Sequence, residues 1–355
     1  MTSGITREGA VAGRRSLLWV DAARVAAILA VIAIHTVTKL VGQRSLPESW
    51  WFGNLVFSAA RWSVPLFVML SGALLLRADE DDDPIRFYRR RAARLLPPLV
   101  AWTTIYLLYG HYSANNPSTL QDAVRYVLAG RPYFHLYFLY LIAGLYVIAP
   151  ILRPLVALPG TRTLAIAVLV LLALGMVDDV IVVWGHQGGV NAVTRFVPYV
   201  GYFLAGPLLA RVAASKRRIV LAASVATLGI FATAVGTYLL LANVGVRNAH
   251  YLYEYLSVTT VPVTLAVFAL FMWSAPQLDR IAGRLPARAL STMAAATLGI
   301  YVIHPLVMRG LSFVGLGARA FFVPLAVTVF VLATFAISLV VVLVLHQVPG
   351  VRRLV

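Results

Sequence analysis

From residue 17 to residue 346 the chain is a succession of apolar runs of about 20 residues, each able to cross a hydrocarbon core about 30 Å thick as a helix. Its composition, 61% hydrophobic and 12% charged, agrees, against roughly 45–50% and 25% in an ordinary soluble domain. A bilayer offers no water to an unpaired backbone group, and the runs lack the alternation of a membrane-barrel strand, so the spans must be helices. The expected fold is all-α: a polytopic bundle of about ten transmembrane helices, near residues 17–40, 55–76, 95–111, 134–152, 163–183, 193–211, 219–242, 254–273, 291–310 and 320–346.

The formal net charge of +17 would suggest nucleic-acid binding in a soluble protein, but here its placement gives another answer. Arg14 and Arg15, the loops holding Arg86 to Arg94, Arg153 and Arg162, Arg211 to Arg218, Arg280 to Arg288, and finally Arg352 and Arg353 fall on one side. The positive-inside rule makes that side the cytoplasm, with both termini on it and no nucleic-acid partner required. Residues 1–16 then form a cytoplasmic segment, 17–346 a single transmembrane domain and 347–355 a cytoplasmic tail of a multi-pass protein in the plasma (inner) membrane. The opposite loops, near 41–54, 112–133, 184–192, 243–253 and 311–319, carry few basic residues and the aromatics Trp50, Trp51, Trp184 and Tyr251. The longest of them, 112–133, is expected to hold a short interfacial helix over the bundle mouth. Residues 17–40 are interrupted by Asp21 and Arg24 and have no clear cleavage site, which reads as an uncleaved first span. Without a single cysteine, covalent chemistry must use oxygen or nitrogen.

The first span carries the most informative pattern. Arg24 and His35 are eleven residues apart, close to three helical turns, so they share a face about 16 Å apart along the axis. Asp21, one turn before Arg24, can pair with it. An arginine can snorkel and a histidine can be a satisfied polar group between helices, but three ionisable groups on one intramembrane stripe point to function. The stripe suits either catalysis or the relay of a secondary transporter or lipid-linked glycan flippase. At the start of the third span, Arg90, Arg91 and Arg94 are either positive-inside anchors or a phosphate-binding cluster. The acidic run from Asp79 to Asp83 reads as a solvated loop rather than a metal site. His35, His135 and His304 fall at similar depth, yet none is paired at close metal-ligand spacing, and no metal is expected.

The spacing Arg24-x10-His35, preceded by Asp21, resembles the signature of the acyltransferase-3 family, integral membrane proteins that move acyl groups, mostly acetyl, from coenzyme A to extracytoplasmic sugars and lipids. Further pieces recur in the family's order: Ser63-Val-Pro-Leu-Phe-Val-Met-Leu-Ser-Gly72, the basic Phe87-Tyr-Arg-Arg-Arg-Ala-Ala-Arg94-Leu-Leu-Pro-Pro98, His135-Leu-Tyr-Phe-Leu with Tyr137 where the family has tryptophan, and Leu298-Gly-Ile-Tyr-Val-Ile-His304-Pro. The resemblance spans essentially the whole chain. It implies an acyltransferase of the O-acetylating type that uses acetyl-CoA and a bacterial glycan, glycolipid or glycoside acceptor. Under it, Arg91, Arg94 and Arg90 hold the donor's phosphates, and Arg24, oriented by Asp21, sits at the thioester. His35 is then a general base toward the acceptor hydroxyl or an acyl-carrying nucleophile, and His135, Tyr137, Tyr301 and His304 line the acceptor pocket.

Overall fold

A computed structural model describes residues 18–42, 48–77, 83–113, 119–186, 188–244, 246–282 and 287–355. Arg14, Arg15 and residues 79–82 of the acidic run lie outside them. The described residues are helical, without a strand: α1 (Leu18–Val41), α2 (Glu48–Ala60), α3 (Ser63–Leu75), α4 (Pro84–Ser113), α5 (Leu120–Leu128), α6 (Tyr137–Ala157), α7 (Arg162–Trp184), α8 (Val200–Leu209), α9 (Lys216–Val244), α10 (Thr260–Trp273), α11 (Ala275–Ala282), α12 (Ala287–Ala295), α13 (Thr297–Phe313) and α14 (Val323–Leu345).

Among the described residues, seven segments are long and apolar enough to cross a membrane: Leu18–Val41, Glu48–Leu75, Tyr137–Ala157, Arg162–Trp184, Lys216–Val244, Thr260–Arg280 and Val323–Leu345. An eighth exists if α12 and α13, bent by 66° at their junction, count as one span. This is fewer than the ten expected. The run at 95–111 lies in α4, whose arginines, paired prolines and polar second half dilute its apolar character. The run at 193–211 yields only the short apolar helix Val197–Leu209.

The first helix is the staff of the bundle. α2, α3 and α10 to α14 all pack on it, and Ala23, Ala27, Ile28 and Ile32 at its centre are fully buried. The other tight axis is the crossing of α3 and α8, where a Cβ on Gly72 would fall 1.8 Å from the Phe203 carbonyl oxygen and one on Gly206 2.1 Å from that of Met69. The two backbones touch because both positions lack a side chain, as in other close helix crossings within membranes. By contrast α7 and α9 bury few residues and turn Leu169, Leu174, Leu228 and Phe231 outward, which suits helices solvated by lipid tails.

At one end the helices are joined by polar anchors. Asn54, fully buried, donates to the Ala234 carbonyl (2.9 Å) and accepts from the Tyr253 hydroxyl (2.7 Å), tying α2 to α9 and to the turn before α10. Within 112–133 the chain forms α5, started by a reciprocal Thr119–Asp122 capping box and exposing Leu120, Val124 and Leu128 along one stripe.

Candidate functional site

The polar groups on α1 divide the site between the two ends of the helix. At its start, Arg24 lies within electrostatic range of Asp21, Arg94 and Tyr146, and Tyr146 in turn faces Arg24, Arg91 and Arg94. The Arg91 guanidinium stands 5.3 Å from the Phe87 ring centre and 6.0 Å from that of Tyr146. Three arginines from α1 and α4 thus converge on one tyrosine of α6. Arg90 is exposed beside this cluster. The expected Asp21–Arg24 ion pair is not formed: the Asp21 carboxylate instead accepts from the Ser291 hydroxyl at 2.7 Å, which fastens α12 to α1. The aspartate acts on Arg24 through space, and the cluster keeps an excess of positive charge.

At the other end of α1 lies a cavity of about 1070 Å³. His35, His135, Tyr137 and Tyr301 line it, while His304 sits behind them, fully buried. The His35 ring stacks on His304 at 5.4 Å and 22° and meets Phe134 edge-on at 4.7 Å. His135, 1% exposed, stands in the turn before α6, 5.4 Å from His304 and 5.3 Å from Tyr301, with both ring nitrogens unpartnered. Its backbone carbonyl accepts from the Tyr301 hydroxyl. The structure therefore brings together three histidines that the sequence scatters over 270 residues. Among the described residues no three His, Cys, Asp or Glu side chains are grouped so as to hold a metal ion.

His304 has a structural reason for its orientation. Pro305 has no N–H, so the Tyr301 carbonyl, four residues back, loses its helical partner. The His304 Nδ1 fills that gap at 2.7 Å from the Tyr301 oxygen and lies 3.2 Å from that of Ile300. Carbonyl oxygens only accept, so Nδ1 carries the hydrogen and Nε2 is left as a lone-pair acceptor. Nε2 has no partner. The His-Pro pair thus repairs a helix inside the bundle and fixes the tautomer of the ring under His35.

The cavity wall also holds residues that sequence reasoning missed. Arg61 sits at the break between α2 and α3, 8% exposed, its guanidinium 3.7 Å from the Tyr255 ring centre and 5.2 Å from that of Phe57. Glu254, Tyr137 and Tyr199 surround it, and its charge reaches His35. Burial lifts the Glu254 carboxyl above the usual glutamate range, and Arg61 draws it part of the way back. Asp178 and Asp179 enter the lining from α7, and Arg195, which donates to the Ala129 and Val190 carbonyls, faces the Tyr137 ring at 5.9 Å. The signal for Arg61 and for the aspartate pair was available: each interrupts an apolar run.

The chain is thus a membrane helix bundle with an arginine cluster at one end and a histidine-lined cavity at the other. Residues 17–345 match the acyltransferase domain of the acyltransferase-3 family, and the chain belongs to that family. No curated protein and no solved structure matches it. The family makes the chain a membrane acyltransferase, with an acyl donor and an acceptor as its substrates.

Proposed function

We propose that the protein moves an acyl group, acetyl in the simplest case, from acyl-coenzyme A to a hydroxyl of a glycan, glycolipid or glycoside. The arginine end faces the cytoplasm and the cavity faces the outside of the plasma membrane of a bacterium. Arg91 and Arg94, with Arg90 at the rim, grip the phosphates of the donor by paired charge-assisted hydrogen bonds. Arg24, held by the field of Asp21, meets the inner part of the donor, and the acyl-bearing arm extends along α1 toward His35.

The observation that carries this reading is the stacking of His35 on a tautomer-fixed His304 in the wall of the acceptor-sized cavity, on the same helix as Arg24. His35 makes no hydrogen bond to another described residue, so its ring nitrogens are open to the cavity. There it takes the proton from the acceptor hydroxyl as the oxygen attacks the thioester carbonyl. The carbon–oxygen bond forms, the carbon–sulfur bond breaks, and the departing thiolate recovers a proton from the imidazolium. His135, Tyr137 and Tyr301 shape the pocket in which the hydroxyl is presented.

The test is acetyl-CoA presented to the protein in nanodiscs together with a hexose glycoside and a hexose 1-phosphate as hydroxyl acceptors, with free thiol measured as it is released. Wild type should release thiol with turnover, and His35→Ala should lose about 100-fold or more while keeping its thermal unfolding midpoint. Arg91→Ala/Arg94→Ala should weaken donor binding without changing the fold. A His35→Ala protein with wild-type turnover would overturn the assignment, and binding of donor with no thiol release would favour transport over transfer.

A further inference from the structure

The cavity that holds His35 carries more positive charge than its chemistry at His35 requires. Lys39, Arg61, Arg131, Arg195, Arg309 and Arg319 line it, against Asp178, Asp179 and Glu254. Glu254 and Asp179 lie on the inner wall within reach of the Arg61 charge, and one guanidinium offsets only one of them. The lining as a whole holds six cations against three carboxylates, a formal excess of three positive charges.

None of Lys39, Arg131, Arg195, Arg309 and Arg319 forms an ion pair with a carboxylate among the described residues. Arg195 is occupied in holding two backbone carbonyls. Lys39, Arg131, Arg309 and Arg319 are exposed at the cavity rim, and the Arg309 guanidinium lies over the Phe313 ring at 4.9 Å. Lys39 is one of only two lysines in the chain.

Their position is informative in itself. Cations gather at the opposite end of the bundle, as the positive-inside rule demands, and charge at the cavity end works against insertion in that orientation. Four exposed cations without an ion pair around one opening need a compensating reason, and a negatively charged ligand supplies one. Guanidinium forks match phosphate and carboxylate oxygens, and the cavity behind them is walled by the tyrosines 133, 137, 199, 255 and 301, which offer apolar ring faces and hydroxyl edges to a sugar.

We propose that the acceptor admitted to this cavity is anionic, a glycan bearing a phosphate or carboxylate, and that Arg131, Arg309 and Arg319, with Lys39, receive its charge at the rim. The inference rests on the acyl-transfer reading for what becomes of the acceptor, and on the cavity alone for its charge. Free phosphorylated sugars and polyprenyl-phosphate-linked sugars present the same chemistry to the rim.

The experiment measures equilibrium binding to the full chain in nanodiscs of zwitterionic lipid, with no acyl donor present. The probes are a hexose 1-phosphate, the methyl glycoside of the same hexose, and the hexose linked to a polyprenyl phosphate. Both phosphates should bind about tenfold or more tightly than the neutral glycoside, and their affinity should fall as salt screens the rim. Arg131→Gln/Arg309→Gln should remove about tenfold from the phosphates and leave the glycoside unchanged, with acetyl-CoA binding at the far end of the bundle reporting that the variant is folded. Preference for the polyprenyl phosphate alone would support the proposal with a lipid-linked acceptor, and equal binding of both would support it with a water-soluble one. A glycoside that binds as tightly as the phosphates, a variant that weakens all three alike or none, or no binding by any probe would overturn it. Thiol release separates the two readings: phosphate preference without turnover keeps the anionic site and discards acyl transfer, and turnover with no charge preference does the reverse.

Discussion

The pairing of His304 with Pro305 can be tested as a coupling energy. Replacing His304 by Phe keeps a ring against His35 but removes the Nδ1–H, leaving the Tyr301 carbonyl in a fully buried position without a donor. An orphaned buried carbonyl costs about 1–3 kcal/mol, and interhelical polar terms in membrane bundles lie toward the lower end of that range. In a Pro305→Ala background the new Ala N–H reaches the same carbonyl as an ordinary helical bond, so the loss of the imidazole donor no longer leaves it bare. His304→Phe should therefore destabilise the parent by about 1–2 kcal/mol more than it destabilises the Pro305→Ala variant. Reversible unfolding in mixed micelles, run on the four proteins of the cycle, reads this difference directly. Additivity within about 0.5 kcal/mol would show that His304 does not substitute for the missing N–H, and the argument for its fixed tautomer would go with it. Pro305→Ala alone should be no less stable than wild type and yet slower in transfer, because the imidazole beneath His35 is then free to turn.

Gly72→Ala forces a Cβ into the Phe203 backbone at 1.8 Å and should lower stability by about 3 kcal/mol or abolish folded protein; a wild-type unfolding midpoint would refute the close crossing of α3 and α8. With Glu254 lifted above the usual glutamate range, stability should fall as pH rises from that range through the raised value, because the folded protein then holds a proton that the unfolded chain has lost. Glu254→Gln should flatten that slope in unfolding measured against pH. Ile28 is fully buried on α1 between Arg24 and Val31, and Val31 lines the cavity. Ile28→Phe should slow transfer about tenfold or more while leaving acetyl-CoA binding intact, and transfer at the wild-type rate would show that the acyl arm does not pass this side chain.

What the sequence made legible is what runs along a helix. The stripe from Arg24 to His35 needed only the helical repeat, and the depth argument for His135 and His304 needed only the direction of each span. The same reading expected ten spans where seven or eight described segments are long and apolar enough to cross, because α4 dilutes its apolar character with arginine and proline and Val197–Leu209 is short. It also paired Asp21 with Arg24, where the nearer partner of Asp21 is Ser291, 270 residues away in the chain.

The missed residues Arg61 and Tyr255 share a physical origin with His135 and Pro305, which the sequence had singled out. A helix in a bilayer can be interrupted only where the freed backbone groups are buried in protein or open onto a cavity. Arg61 lies at the break between α2 and α3, His135 in the turn before α6, Tyr255 in the turns before α10, and Pro305 removes a helical donor within α13. All four positions contribute to the lining of the cavity that holds His35. The interruptions that weaken a hydropathy profile are therefore the places where the site is built. Reading Arg61, Asp178 and Asp179 as breaks in otherwise apolar runs, rather than as noise on a span, picks out charged residues of the cavity wall from the sequence alone.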